Sequence, residues 1–200
     1  MSNKTGIYRW KDWVFNQHNV ICNQKYHGYI PYSFHLEVVE HTVMDEMEYN
    51  WPGIADNDAL LLRFTALGHD LIEDARVSYN DIKFEVNECL RDGYGEQVAE
   101  MIFLCTEMRG RNRFERHSDQ FYAELFENPY ATYVKLCDNL ANIRFSKLAG
   151  SNMQVAYKKE FPRIYKLMPE YIRSQFTNLD DKILKELDLD INTLKDYLTI

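Results

Sequence analysis

Leu60-Leu61-Leu62-Arg63-Phe64-Thr65-Ala66-Leu67-Gly68-His69-Asp70-Leu71-Ile72-Glu73-Asp74 is the segment on which the fold turns. From Leu60 to Leu67 it is apolar on nearly every side, which suits a helix surrounded by others rather than one with a solvated face. Asp56 or Asn57 is placed to cap its start. Beyond this segment, only 8 Gly and 5 Pro punctuate 200 residues, and apolar positions recur at three and four rather than at two. The expected fold class is therefore all-α, a helical bundle in a single compact domain.

Upstream, the spacing predicts a helix from Trp10 to Cys22 and a loop containing His27, Gly28 and Pro31. A second helix runs from Phe34 to Glu48, with Leu36, Val39, Val43 and Met47 on one face, and Trp51-Pro52-Gly53 stops it. Downstream, Ser78 and Asp81 resemble a capping box for a helix reaching Leu90, which Gly93 and Gly95 end. Helices are expected at Glu96 to Met108, Phe114 to Phe126 and Tyr130 to Leu148. The stretch from Asn152 to Phe176 is more polar and aromatic, with Pro162 and Pro169 interrupting it, and Asp180 onward reads as one or two short closing helices. No repeat or Ser, Gly or Pro-rich linker divides the chain. Residues 1–150 form the main unit and 151–200 a helical extension packed on it.

The charge balance, 23 Lys+Arg against 31 Asp+Glu for a net -8, removes the positive field that nucleic acid or an anionic membrane requires of a partner. Fourteen Tyr, eleven Phe and three Trp argue against disorder. Cys22, Cys89, Cys105 and Cys137 form no CxxC pair, so neither a disulfide framework nor a thiolate zinc site is expected. With no apolar leader and no run of eighteen apolar residues, the expected location is the cytoplasm, and the oligomeric state stays open.

The chemistry lies in ionisable residues embedded in apolar sequence. His69 and Asp70 end the central apolar run, and Asp138 follows Tyr133-Val134-Lys135-Leu136-Cys137. Burying such groups unpaired is costly, and a divalent cation is a strong compensating partner. His35 offers a fourth ligand. Mixed nitrogen and oxygen ligation suits Mn, Fe, Co or Zn better than calcium. Glu73 and Asp74 follow at three and four positions; if the helix continues, both acids sit one turn beyond the ligands, where one can take a proton from water and the other protonate a leaving oxygen. Glu107 is a further acid near the cation. Lys135, Asp138 and Asn142, spaced three and four, share a helix face. His41 lies on the other side of its helix from His35 and reads as structural, and Tyr122, Phe126, Tyr130 and Tyr133 read as core.

Three stretches, Pro31-Tyr32-Ser33-Phe34-His35-Leu36-Glu37-Val38-Val39, Ala66-Leu67-Gly68-His69-Asp70-Leu71-Ile72-Glu73-Asp74 and Val134-Lys135-Leu136-Cys137-Asp138-Asn139-Leu140-Ala141-Asn142-Ile143-Arg144, are similar in order and spacing to the HD-superfamily hydrolase domain of RelA/SpoT proteins. The closest form is the small stand-alone type that hydrolyses the alarmone ppGpp. The resemblance covers about residues 15–148 and implies an HD-type bundle holding one Mn ion on His35, His69, Asp70 and Asp138. It further implies Glu73 and Asp74 as the catalytic pair and Asn142 as the active-site amide, with Asn142 and Lys135 orienting the nucleotide. Where the family usually carries an Arg-Lys pair against the base, this chain has Tyr26 and His27, so a cationic contact is lost or depends on the charge of His27. Thr after the arginine becomes Phe145, and the His before the amide becomes Ala141.

The leading expectation is an Mn-dependent phosphohydrolase that removes the 3'-pyrophosphate of (p)ppGpp. The alternatives are a hydrolase of another small nucleotide, such as a deoxynucleotide or a phosphorylated dinucleotide, and a non-catalytic nucleotide-sensing partner protein. His117 is the only histidine between His69 and Asp138, which favours a single ion. Arg109, Arg111, Arg113 and Arg116 are a local basic cluster, and Arg144 with the Arg111 to Arg116 segment are weaker candidates for phosphate contact.

Overall fold

The computed structural model describes residues 3–90, 93–107, 110–190 and 194. The chain starts with α1 (Asn3–Phe15), which widens into a π-helical turn at Asn16–Ile21, and continues through a small antiparallel hairpin, β1 (Lys25–Tyr26) with β2 (Ile30–Pro31). Two long helices follow, α2 (Ser33–Asn50) and α3 (Asp56–Gly68), then α4 (Tyr79–Cys89), α5 (Tyr94–Cys105) and two short helices, α6 (Arg113–Arg116) and α7 (Asp119–Leu125). The remainder is α8 (Pro129–Leu148), α9 (Met153–Leu167), α10 (Glu170–Gln175) and α11 (Thr177–Glu186). This is an all-α bundle. No described helix is long and apolar enough to cross a membrane.

The core is built around α3 and α8. α3 packs on α1, α2, α5 and α8, which is the surrounded position its all-round apolar sequence requires. Leu62, Phe64, Ala66 and Leu67 are fully buried, and Trp10 of α1 donates its indole N–H to Phe64 O at 3.0 Å. α8 contacts α2, α3, α5, α7, α9 and α11, so α9 and α11 are laid on the same bundle. Asn128 caps α8, its side chain accepting from the N–H groups of Tyr130 and Ala131, and Pro129 occupies the first helical position, where its missing N–H costs nothing. Tyr133 of α8 donates its hydroxyl proton to Val43 O of α2 at 2.7 Å and locks the two helices together.

Several boundaries differ from those expected. α1 begins well before Trp10, and the 23–31 loop contains paired strands. The cap of α3 is Ala55; Asp56 and Asp58 sit in its first turn, where their charge faces the positive helix end. Gly95 does not end α4 but opens α5, where a Cβ would fall 2.2 Å from Lys83 O. The expected helix from Phe114 to Phe126 is two helices, because Ser118 accepts from Phe121 N–H and starts a new one. Pro162 lies inside α9 rather than breaking it: Phe161 and Ile164 on either side are buried, and that anchoring offsets one lost hydrogen bond. Met108 and Arg109 lie outside the described residues, as does the segment beyond Asp190 apart from Leu194.

Candidate metal centre

Three separate elements deliver the expected ligands to one place. His35 occupies the first turn of α2, its N–H bonded to Tyr32 O at 3.0 Å. His69 and Asp70 follow directly on the last residue of α3. A Cβ at Gly68 would lie 2.7 Å from Ile102 Cδ1 and 2.8 Å from Trp10 Cζ2, so a side chain there would push the helix end outward. Asp138 comes from the middle of α8. All four are buried.

The geometry fits an ion. His35 Nε2 lies 3.5 Å from Asp70 Oδ2 and 3.2 Å from Asp138 Oδ1; His69 Nε2 lies 3.1 Å and 3.6 Å from the same two oxygens. Ligand atoms around an ion with bonds of about 2.1 Å stand about 3.4 Å apart in a tetrahedron and about 3.0 Å apart in an octahedron. His35, His69 and Asp70 converge within 4.8 Å of one another, and Asp138 meets both imidazoles. His69 Nδ1 donates to Ala66 O at 2.8 Å, so Nε2 is the ring nitrogen that faces the cluster. That nitrogen is buried with no in-geometry hydrogen-bond partner among the described residues, although Asp70 Oδ2 lies 3.1 Å away. A buried ring nitrogen set against two carboxylates is what a cation, a metal ion or in its absence a proton, would satisfy.

The local field agrees. Burial opposes ionisation of Asp70 and Asp138, yet the imidazoles, together with Lys135 beside Asp138, hold both carboxyls well below their usual range. Burial likewise lowers His35 and His69, but the two carboxylates outweigh it and push both imidazoles up. Lys135 is itself buried, 3.4 Å from Asp138 Oδ2. Burial works against its charge, and Asp138, Glu107, Asp70 and Glu73 more than offset that.

Glu73 and Asp74 are near the ligands but not on a continuing helix: α3 ends at Gly68, and residues 69–74 form a turn closed by Asp74 N–H on Asp70 O at 2.9 Å. The two acids therefore diverge. Asp74 Oδ2 meets the hydroxyl of Tyr32 at 2.8 Å and the amide nitrogen of Gln24 at 2.7 Å, while the same hydroxyl lies 2.6 Å from Asp70 Oδ2. Glu73 Oε2 accepts from Glu107 N–H at 3.1 Å. Both acids line one cleft of about 960 Å³ with Arg76, Thr106, Glu107 and Arg116. Glu73 is pushed up to about 7, first by burial and then by the nearby Glu107 and Asp70 charges, against the pull of Lys135. Glu107 stays ionised: burial opposes this, but His117, Lys135 and Arg116 hold its carboxyl low. His117 is buried against Glu107 and outside the ligand cluster.

The expected nucleotide contacts are arranged differently from one another. Asn142 Nδ2 donates to Asp138 Oδ1 at 2.6 Å, and its Oδ1 accepts from Tyr26 at 2.8 Å. Tyr26 is 8% exposed and stacks on His35, ring centroids 4.8 Å apart, so one ring face is already covered within the protein. His27 is exposed in the hairpin turn at φ 49, with Phe145 4.7 Å away. Arg144 points to Glu186 of α11 at 3.4 Å. Arg111, Arg113 and Arg116 are each paired with a carboxylate, of Glu115, Glu160 and Glu107, so this segment is not a bank of free cations; Arg109 lies outside the described residues.

Three residues of the site are absent from the sequence-based candidates: His18, Gln24 and Tyr32. His18 had a signal, because Ile7, Trp10, Val14 and His18 recur at three and four and all are buried, which marks a polar residue on an apolar stripe. Compared with protein-family models and with curated proteins, the chain matches none.

Proposed function

We propose that the chain is an HD-type phosphohydrolase acting on a phosphorylated nucleotide, with removal of the 3'-pyrophosphate of (p)ppGpp as the leading reaction and Mn as its ion. The observation that carries this reading is the meeting of two imidazole nitrogens and two carboxylates, with His69 Nε2 unpartnered among the described residues, beside a cleft that Glu73, Asp74, Glu107 and Glu124 line. His35, His69, Asp70 and Asp138 would hold the ion, which when bound supplies a Lewis acid for phosphoryl transfer to water. Glu73, poised near neutrality, can accept or return a proton in the working pH range. Asp74 is the second proton-handling group. Lys135 compensates the acids around it, and Asn142 fixes the rotation of Asp138 through Oδ1. A cytoplasmic location goes with this reading.

A second substrate reading, another small nucleotide, is favoured by the base-contact positions. Tyr26 is buried against His35, and the candidate phosphate contacts Arg111, Arg113, Arg116 and Arg144 are already paired with carboxylates of the chain. The test is a nucleotide panel with Mn and chromatography of the products. Pyrophosphate release from ppGpp supports the leading reaction, clean turnover of another nucleotide alone moves the assignment to the second, and no turnover of any refutes hydrolysis. A protein that only senses nucleotide would keep its biological effect in the Glu73→Gln, Asp74→Asn double variant, whereas an enzyme would lose turnover and retain the metal.

A further inference from the structure

The π-helical turn at Asn16–Ile21 carries His18 into the interior, where it is fully buried, and its ring stacks on Tyr32 with centroids 4.9 Å apart and planes at 16°. π-Turns inside helices are rare and frequent at functional sites. His18 Nδ1 lies 2.7 Å from Gln24 Oε1. An amide oxygen only accepts, so the proton of this contact belongs to Nδ1 and the ring is the Nδ1–H tautomer. The Gln24 amide is thereby oriented with its oxygen on His18 and its NH₂ on Asp74 Oδ2, at 2.7 Å. Reversed, the amide would set its oxygen against the Asp74 carboxylate, a repulsive contact that the observed orientation avoids. Tyr32, held flat under the same imidazole, brings its hydroxyl to Oδ2 of Asp74 as well.

Both contacts fall on one oxygen of Asp74, and no described residue hydrogen-bonds Oδ1. We propose that His18 and Gln24 are positioning residues that fix the Asp74 carboxyl through Oδ2 and leave Oδ1 as the atom presented to the cleft. His18 acts at two removes: it sets the amide of Gln24, which sets the acid. This rests on the reading of Asp74 as a proton-handling group. Burial lowers the His18 pKa, in keeping with a neutral ring that donates once.

The test uses the full chain with Mn and whichever nucleotide of the panel it turns over. His18→Phe keeps a flat ring against Tyr32 but removes the donor; Gln24→Glu keeps the shape but turns the donor toward Asp74 into an acceptor. Each is expected to lower kcat by about 10- to 100-fold, the range typical of groups that orient a functional side chain, with KM and Mn affinity within about twofold. The double variant is expected to be no worse than Gln24→Glu alone, since both act along one path. A kcat within twofold of wild type in either folded variant would overturn the proposal, as would losses that multiply in the double variant. Independently of turnover, ¹⁵N NMR of the wild-type imidazoles should find His18 as the Nδ1–H tautomer at pH 7.5. A proton on Nε2 would sink the relay even if hydrolysis is established, while the expected tautomer in a protein without nucleotide turnover would sink the hydrolase reading and leave the relay standing.

Discussion

Replacing Glu73 with Gln should stabilise the metal-free protein in alkaline solution and leave it unchanged in acid. The carboxyl is pushed from its ordinary 4.5 up to about 7, chiefly by burial. For an acid raised in this way, the folded state binds the proton more tightly than the unfolded one. Its contribution is therefore fully present below about pH 4.5, is lost as the pH rises toward 7, and above that the ionised group is a net cost. At 1.36 kcal/mol per unit the shift corresponds to about 3 kcal/mol, and since Glu73 is open to the cleft on one side, about 1 to 3 kcal/mol is the expected gain. Gln keeps an oxygen for Glu107 N–H, so that hydrogen bond survives the change. The assay is equilibrium urea unfolding with chelator at pH 4.5 and pH 8, wild type beside variant. A variant no more stable than wild type at pH 8, relative to pH 4.5, would refute the claim that burial holds this carboxyl partly protonated, and with it the role given to Glu73 near neutrality.

Three further outcomes are expected. His69→Gln should weaken Mn binding by more than about 100-fold in calorimetry, because even partners that only orient a ligand typically cost 10- to 100-fold; binding within tenfold of wild type would remove His69 from the ligand set. Lys135→Met should destabilise the metal-free chain by about 3 to 5 kcal/mol, because Asp138, Glu107, Asp70 and Glu73 lose their buried counter-charge; urea unfolding with the same midpoint as wild type would count against that balance. Asp180 of α11 is 2% exposed, both its oxygens lack a hydrogen-bond partner among the described residues, and burial pushes its carboxyl well above the usual range. Asp180→Asn should therefore raise stability by about 1 to 3 kcal/mol at pH 7, an advantage that shrinks as the pH is lowered and is gone by about pH 4, and thermal unfolding at the two pH values checks it.

The central helix and the ionisable cluster at its end were legible because local sequence carried the information. A run that is apolar all round must be surrounded, and charged groups at its end must be compensated, wherever the partners come from. The four expected ligands converge for that reason. What links them was not legible. Tyr26 reaches Asn142, Gln24 reaches Asp74 and Tyr32 reaches Asp70 across long stretches of chain, and nothing in their immediate neighbours marks such contacts. The path after Gly68 was open for a related reason: helical spacing placed Glu73 and Asp74 side by side, whereas Tyr32 and Gln24 draw one acid and the Glu107 N–H holds the other. Helix ends gave way where packing outweighed propensity, as with Pro162 inside α9, or where one side chain could start a new helix, as with Ser118.

The four candidate ligands stand at residues 35, 69, 70 and 138, the first on α2, the last on α8 and the middle two just past the end of α3. An ion bound to all four would cross-link the first third of the chain to the last, in a protein whose four cysteines are all free. At a free metal concentration one hundred times the dissociation constant, mass action alone adds about 2.7 kcal/mol to the folded state. Resistance to proteolysis and lifetime in the cell would then track metal supply, so scarcity of the ion would remove the protein as well as its activity.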